Sequence, residues 1–250
     1  MTEEMPLVTV VTPTWQRYKM LLRRCIPSVQ AQGYPRVQQV VVSDGPDPEL
    51  AAQLSMPWLD GWKDLWYREL PVHDEELHWG GPARNAGLEL AEGEYRTYCD
   101  DDDSLRPDHC YRLAAALDAN PEAGFAVSRM LQHGVLGVSV DQSVGHGELA
   151  LGNVGTPMIM HRREVGGQPV EWGSGPYEDW ELVWSWIRAG VPYVRVDADT
   201  CDAWPSVWRG AGPDPEPEDP YPHGLIPGQA QAFPDGAERA TATDLARPAP

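Results

Sequence analysis

Four consecutive aspartates, Asp100, Asp101, Asp102 and Asp103, follow directly on the strand-like run Tyr95-Arg96-Thr97-Tyr98-Cys99. Carboxylates packed this closely repel one another, and a cation relieves the repulsion. Hard oxygen ligands suit Mg²⁺ or Mn²⁺, and Mg²⁺ in particular takes one or two protein carboxylates together with substrate phosphates and water. A metal so held would neutralise a departing diphosphate, the main electrostatic task in breaking a sugar–phosphate bond. In an extended chain Asp100 and Asp102 point one way and Asp101 and Asp103 the other, so one alternate pair would face a cleft. The competing account is a solvated acidic loop whose aspartates cap the next helix. The strand in front of the cluster favours the metal.

Such a cluster needs a frame. Residues 7–12 are apolar and β-branched without alternation, the pattern of a strand covered on both faces, and Pro13 is expected to end it. Tyr18, Leu21, Leu22, Cys25 and Val29 then share one helical face, with Pro27 expected to kink or shorten that helix. A second buried strand spans residues 37–43 and stops at the turn formers Asp44-Gly45-Pro46-Asp47. Strand, helix, strand at this spacing is a right-handed crossover, which opens both strand ends onto one edge of a parallel sheet, where ligands bind.

Further strands are expected at residues 65–70, 95–99, 125–130 and 154–161. Helices are expected from Pro82 to about Ala91, after Pro107, and over residues 178–188, where Trp180, Val183, Trp184 and Ile187 occupy i, i+3, i+4 and i+7.

The chain of 250 residues, 42% hydrophobic with 11 tryptophans, can bury one sizeable core. One domain over residues 1–209 is expected. Residues 210–250 hold nine of the 25 prolines and seven acids against two arginines, so they read as a Pro-rich acidic tail expected to be disordered. The net charge of −19 argues against a nucleic-acid partner or an anionic membrane surface, and an anionic small substrate would need a local cation. Cys25, Cys99, Cys110 and Cys201 are scattered without zinc-ligand spacing and read as buried thiols. The acidic start and the short apolar run 7–11 suit neither a signal peptide nor a transmembrane segment, so a cytoplasmic protein is expected.

At this point several blocks converge on a resemblance. Val8-Thr9-Val10-Val11-Thr12-Pro13-Thr14-Trp15-Gln16-Arg17, Ser28-Val29-Gln30-Ala31-Gln32 and Val40-Val41-Val42-Ser43-Asp44-Gly45 resemble the opening of the family 2 glycosyltransferases. Gly81-Pro82-Ala83-Arg84-Asn85-Ala86-Gly87, then Gly93-Glu94-Tyr95 through Asp103, and Glu178-Asp179-Trp180 follow in the same order. The resemblance covers roughly residues 7–200 and implies the GT-A fold: an α/β, Rossmann-like, mixed and mostly parallel sheet flanked by helices.

The resemblance also implies roles. Thr12, Pro13 and Thr14 would line the nucleotide pocket, Asp44 would bind the base, and Arg84 would lie near the ribose or diphosphate. Asp100 and Asp102 would form the DXD element, Asp100 toward the ribose and Asp102 on the divalent metal, Mn²⁺ or Mg²⁺; a register one position along gives the metal to Asp101. Asp179 would be the general base of an inverting transfer from a nucleotide-sugar donor to a saccharide, lipid-linked or small-molecule acceptor. The plain reading of Asp179 is a helix-start cap.

Departures from the pattern matter. Relatives often place a metal-binding histidine beyond the base helix, and residues 188–210 contain none; Asp199, Asp202 or water could stand in. His146 and His161 read as surface or core residues. Among the tryptophans, Trp172 is the acceptor-site candidate, with Trp180 and Trp184 assigned to the core by their spacing. A nucleotidyltransferase of the same fold would want a Gly-rich basic loop where this chain has Thr12-Pro13-Thr14-Trp15. A non-catalytic nucleotide-sugar-binding protein would tolerate loss of Asp179.

Overall fold

The computed structural model describes residues 5–55, 64–73, 79–133 and 141–204. The expected tail, residues 210–250, lies outside the described residues. Of the expected domain, the described residues reach Trp204.

Strand β1 (Val8–Thr14) sits between β2 (Val37–Ser43) and β4 (Tyr95–Tyr98), parallel to both, and β2 in turn pairs in parallel with β3 (Leu65–Glu69). Every residue of β1 and β2 is buried, as in strands covered on both faces, and the polar side chains among them are paired inside, Thr9 with Gln38 and Thr12 with Gln39. Beyond β4 the sheet becomes mixed. It continues through β8 (Ile159–Arg162), β6 (Phe125–Gln132), β11 (Tyr193–Ala203) and β5 (Ser104–Leu105), with β7 (Gln142–Val144) added to β6. A separate hairpin pairs β9 (Glu164–Val165) with β10 (Gln168–Pro169).

Contrary to expectation, Pro13 does not end β1. The odd-numbered peptides of this strand face β4, whose pairing stops at Val11 and Tyr98, while Thr14 still accepts from the Asp44 amide of the β2 side at 2.9 Å. The missing N–H of Pro13 therefore costs no ladder bond. Two further residues are carried to the sheet edge as a result.

Pro27 acts differently from the expected kink. The helix after β1 runs as α1 (Tyr18–Met20), a π turn at Leu21–Cys25 and α2 (Ile26–Gln30). The wider turn lies just ahead of the proline, where an i→i−4 bond would be lost. Its buried residues Leu21, Cys25, Ile26 and Val29 pack into the core.

Helix α3 (Pro48–Leu54) was not anticipated, although its start carries a legible signal: Asp47 caps it by accepting from the Leu50 amide at 3.0 Å, and Pro48 fills the first turn. Helices α4 (Gly81–Leu90), α5 (His109–Ala119) and α6 (Glu178–Arg188) form where helices were expected, but α6 buries Leu182 and Trp186 beside Val183 and leaves Trp184 exposed. The expected strand at 154–161 is half replaced by a 3₁₀ turn at Thr156–Met158, where Pro157 opens the turn and only β8 remains extended. No described helix is long and apolar enough to cross a membrane.

Four buried thiols, Cys25, Cys99, Cys110 and Cys201, sit in this core unbridged.

Candidate active site

The C-terminal ends of β1, β2 and β4 open onto one cleft of about 410 Å³, closed on the far side by the starts of α4 and α6. Pro13, Thr14, Asp44, Arg84, Asp100, Asp101, Asp102 and Asp179 all contribute to its walls. Thr12 does not. It is fully buried beneath the cleft, where its hydroxyl accepts from Gln39 Nε2 at 3.2 Å and touches Cys25 Sγ at 3.5 Å.

The aspartate run is a turn rather than an extended chain, since the Asp103 amide donates to the Asp100 carbonyl at 3.1 Å. It still sorts the four side chains into pairs. Asp100 and Asp102 keep 27% and 16% of their side-chain surface open to the cleft. Asp101 and Asp103 turn into the protein. Asp101 accepts from Thr14 Oγ1 at 2.7 Å and from Arg17 Nη1 at 2.7 Å, and Asp103 accepts from the Trp204 amide at 3.4 Å.

Burial is the chief reason that Asp101 is pushed up to about 7, with Arg17 opposing it and Asp102 adding to it; the same burial raises Asp103 well above the carboxylate range.

Two guanidiniums offset this charge. Arg17 Nη2 also donates to Asp102 Oδ2 at 2.6 Å, so its fork spans Asp101 and Asp102. Arg84 Nη2 donates to Asp100 Oδ1 at 2.7 Å, and its Nη1 reaches both the Trp79 carbonyl at 2.7 Å and Glu178 Oε1. Its guanidinium carbon lies 4.7 Å from the ring centre of Trp172. Burial opposes the charge of Arg84, yet Asp100 and Glu178 outweigh it and raise its pKa. Glu178 is raised to about 7, by burial first and against the pull of Arg84.

Arg84 thus joins the exit of β4 to the start of α6. It lines the cleft as a buried bridge between two of its walls.

Helix α6 delivers Asp179 to the same cleft. One of its oxygens accepts from the Trp180 amide at 2.7 Å, which combines the plain capping contact with a wall position. Burial raises its pKa above the ordinary aspartate value, and Asp100 adds to that, while the Trp180 amide and Arg84 pull it down.

At the opposite end, Asp44 Oδ2 lies 3.0 Å from His73 Nδ1, and His73 stacks on Trp15 at 4.2 Å between ring centres. Gly45, at φ 133°, lets Trp15 approach: a Cβ there would fall 2.6 Å from its ring.

Two tryptophan assignments reverse, while Trp180 is partly buried against the core as expected. Trp172 is buried against Arg84 and Tyr98, so it supports the bridge and offers no open face. Trp184 is 45% exposed and stacks with Trp180 at 5.4 Å. Helical spacing identifies residues that share a face but not whether that face meets the core.

Asp199 and Asp202, the suggested stand-ins for a metal-binding histidine, are engaged away from the cleft. Asp199 pairs with Arg129 at 3.3 Å and Ser143 at 2.5 Å, and Asp202 with Arg106 at 2.9 Å and His133 at 2.9 Å. His161 is buried beside Tyr98 at 2.6 Å, and burial lowers it to about 3, as suits a core residue.

Arg17, Glu178, His73 and Trp15 were not assigned site roles from sequence. Arg17 and Trp15 follow directly on Thr14 and Glu178 precedes Asp179, so adjacency was their signal; nothing local marks His73.

A divalent cation is compatible with what the cleft offers. Asp102 Oδ1 and Asp100 Oδ2 take no hydrogen bond among the described residues. No group of three or more His, Cys, Asp or Glu side chains suited to a metal converges among the described residues. The protein would therefore supply one or two carboxylates and leave the remaining positions to phosphate oxygens and water, as Mg²⁺ prefers.

Gly81 sets a close approach between the two far walls. A Cβ on it would lie 2.0 Å from the Gly173 carbonyl. Gly81→Ala must therefore push the start of α4 from the segment leading into α6. We expect a loss of about 1–3 kcal/mol, read by thermal or denaturant unfolding. Unchanged stability would mean that the walls pack less tightly than described.

The order and direction of the strands are those of the GT-A fold. Solved structures share it. The complex of residues 1–349 of S. aureus TarS with UDP-GlcNAc superposes with a TM-score of 0.61 at 19% identity, covering 80% of this chain and 59% of that one. The Pyrobaculum calidifontis mannosyltransferase PcManGT in complex with GDP-Man and Mn²⁺ gives 0.56 at 17% identity, covering 80% and 57%.

Residues 9–142, more than half of the 250, match the family described as glycosyl transferase family 2, and the chain belongs to that family. The glycosyltransferase GlyA of Streptococcus pneumoniae is 29% identical over 106 residues, 42% of this chain and 14% of GlyA. The chain spans between 12% and 34% of the length of the curated relatives it matches.

Proposed function

We propose that this protein is an inverting, metal-dependent glycosyltransferase that moves a sugar from a nucleotide-diphosphate donor to an acceptor hydroxyl. The carrying observation is that Asp44, the pair Asp100 and Asp102, and Asp179, from three separate stretches of the chain, wall one cleft. The TarS complex with UDP-GlcNAc and the PcManGT complex with GDP-Man and Mn²⁺ are proteins of the same fold that hold a nucleotide sugar, which supports the donor class.

In this reading the nucleotide enters at the Trp15, Asp44 and His73 end. The Trp15–His73 stack supplies an apolar wall for a base, and Asp44 a hydrogen-bond acceptor. Asp102, with Asp100 beside it, would hold the divalent ion. When bound, that ion supplies charge neutralisation for the leaving diphosphate.

The chain's own residues do the rest. Arg84 and Glu178 fix the distance between donor and acceptor walls, so that reactants meet in a set geometry. Asp179 accepts the acceptor hydroxyl's proton at its free carboxylate oxygen as that hydroxyl attacks the anomeric carbon opposite the leaving group, which inverts the configuration. Its raised pKa makes it a better proton acceptor than an ordinary aspartate while leaving a carboxylate that ionises.

A nucleotidyltransferase would need cations for a triphosphate, and Arg84 is already bound to three partners in this cleft. A panel of nucleotide sugars incubated with the purified protein and Mn²⁺ should show slow release of nucleoside diphosphate from one or a few donors, read by chromatography. Release from none, with pyrophosphate formed from a nucleoside triphosphate and a sugar phosphate, would favour the nucleotidyltransferase.

A further inference from the structure

The two cleft arginines are held in different ways. Arg84 is clamped by acceptors from three places in the chain: Trp79, Asp100 and Glu178. Arg17 spans Asp101 and Asp102, the carboxylates nearest the proposed metal, at 2.7 and 2.6 Å. Asp101 would not be abandoned without it, because Thr14 Oγ1 donates to its other oxygen at 2.7 Å. Asp102 would be freed entirely toward the cleft. The preceding residue, Gln16, has φ 53°, a left-handed conformation that non-glycine residues adopt only at a cost. This turn places Arg17 at the carboxylates.

We propose that Arg17 is a built-in competitor for the divalent cation, occupying Asp102 in the free protein and giving it up when metal enters. The inference rests on the metal reading above. A guanidinium and a divalent ion on the same carboxylate repel each other within a few ångströms, so one excludes the other. Released from Asp102, Arg17 still lines the cleft, and its planar fork suits phosphate oxygens. The device keeps an acidic cluster neutralised in a chain of charge −19 without a resident metal. It also makes the free protein a weak metal binder.

The test is Mn²⁺ alone, titrated into the full chain without nucleotide and followed by the loss of the free-ion electron paramagnetic resonance signal. Arg17→Met should bind Mn²⁺ about tenfold or more tighter than the wild type. Arg23 lies on the exposed side of the same helical segment and makes no ion pair with Asp100–Asp103 among the described residues, so Arg23→Met, which removes an equal charge, should stay within about twofold. Should Arg17→Met not fold, Arg17→Lys, which keeps the charge but loses the fork, should bind more tightly than the wild type by a smaller factor.

Equal or weaker binding by the Arg17 variants, or equal tightening by Arg23→Met, overturns the competitor role while leaving the metal site standing. No Mn²⁺ binding by the wild type or any variant overturns both.

Discussion

Asp179→Asn should lower turnover by about a hundred- to ten-thousandfold while leaving donor affinity nearly unchanged. The carboxylate lies in the cleft wall with one oxygen on the Trp180 amide, and an asparagine oxygen can keep that bond. The helix start is therefore preserved, and what is lost is the ability to take a proton. Burial raises the pKa of Asp179, so the acid limb of the kcat/KM profile should lie above the ordinary aspartate range. The base works ionised: activity is present above that limb and falls as pH drops through it. The same limb should be missing from the residual activity of the variant. Near wild-type turnover, or an unchanged limb, would return Asp179 to the role of a cap.

Asp102→Asn should be nearly as severe for a different reason. It removes a cleft-facing charge whose Oδ1 takes no hydrogen bond among the described residues. Leaving-group stabilisation of this kind is worth roughly a hundred- to a thousandfold in rate. Stability should change little, because the lost ion pair to Arg17 is offset by relief of the repulsion through which Asp102 raises the pKa of buried Asp101 and Asp103. A variant that keeps its thermal midpoint and loses metal-stimulated turnover fits this account. Full activity would move the metal elsewhere.

Much of the frame was legible because its residues obey simple periodicities. Valine-rich runs without strict alternation marked β1 and β2 as central strands, and α6 has the expected bounds although its buried face is Leu182, Val183 and Trp186. Strand β11 went unseen since it carries Arg195, Asp197, Asp199 and Asp202, whose charges are engaged by partners remote in sequence, such as Arg129 and Arg106. No local pattern announces those partners.

The same limit applies in the cleft. The aspartate cluster drew notice by type and spacing, but the sorting of its members depends on Thr14 and Arg17, more than eighty positions earlier. Arg84 was placed in the right cleft, and its commitment to Glu178, 94 positions away, followed only from the fold. Thr12 and Pro13 are neighbours on a strand, and strand alternation decides which of them reaches the cleft; reading past the proline would have required knowing where β4 stops.

The measurement closest to the central claim is a calorimetric titration of the nucleotide sugar found by donor release, run in Mn²⁺ and again in excess chelator, on the wild type and Asp102→Asn. The account predicts that chelation weakens donor binding about tenfold or more in the wild type and makes little difference in the variant. Donor binding of equal strength with and without metal in the wild type would contradict it.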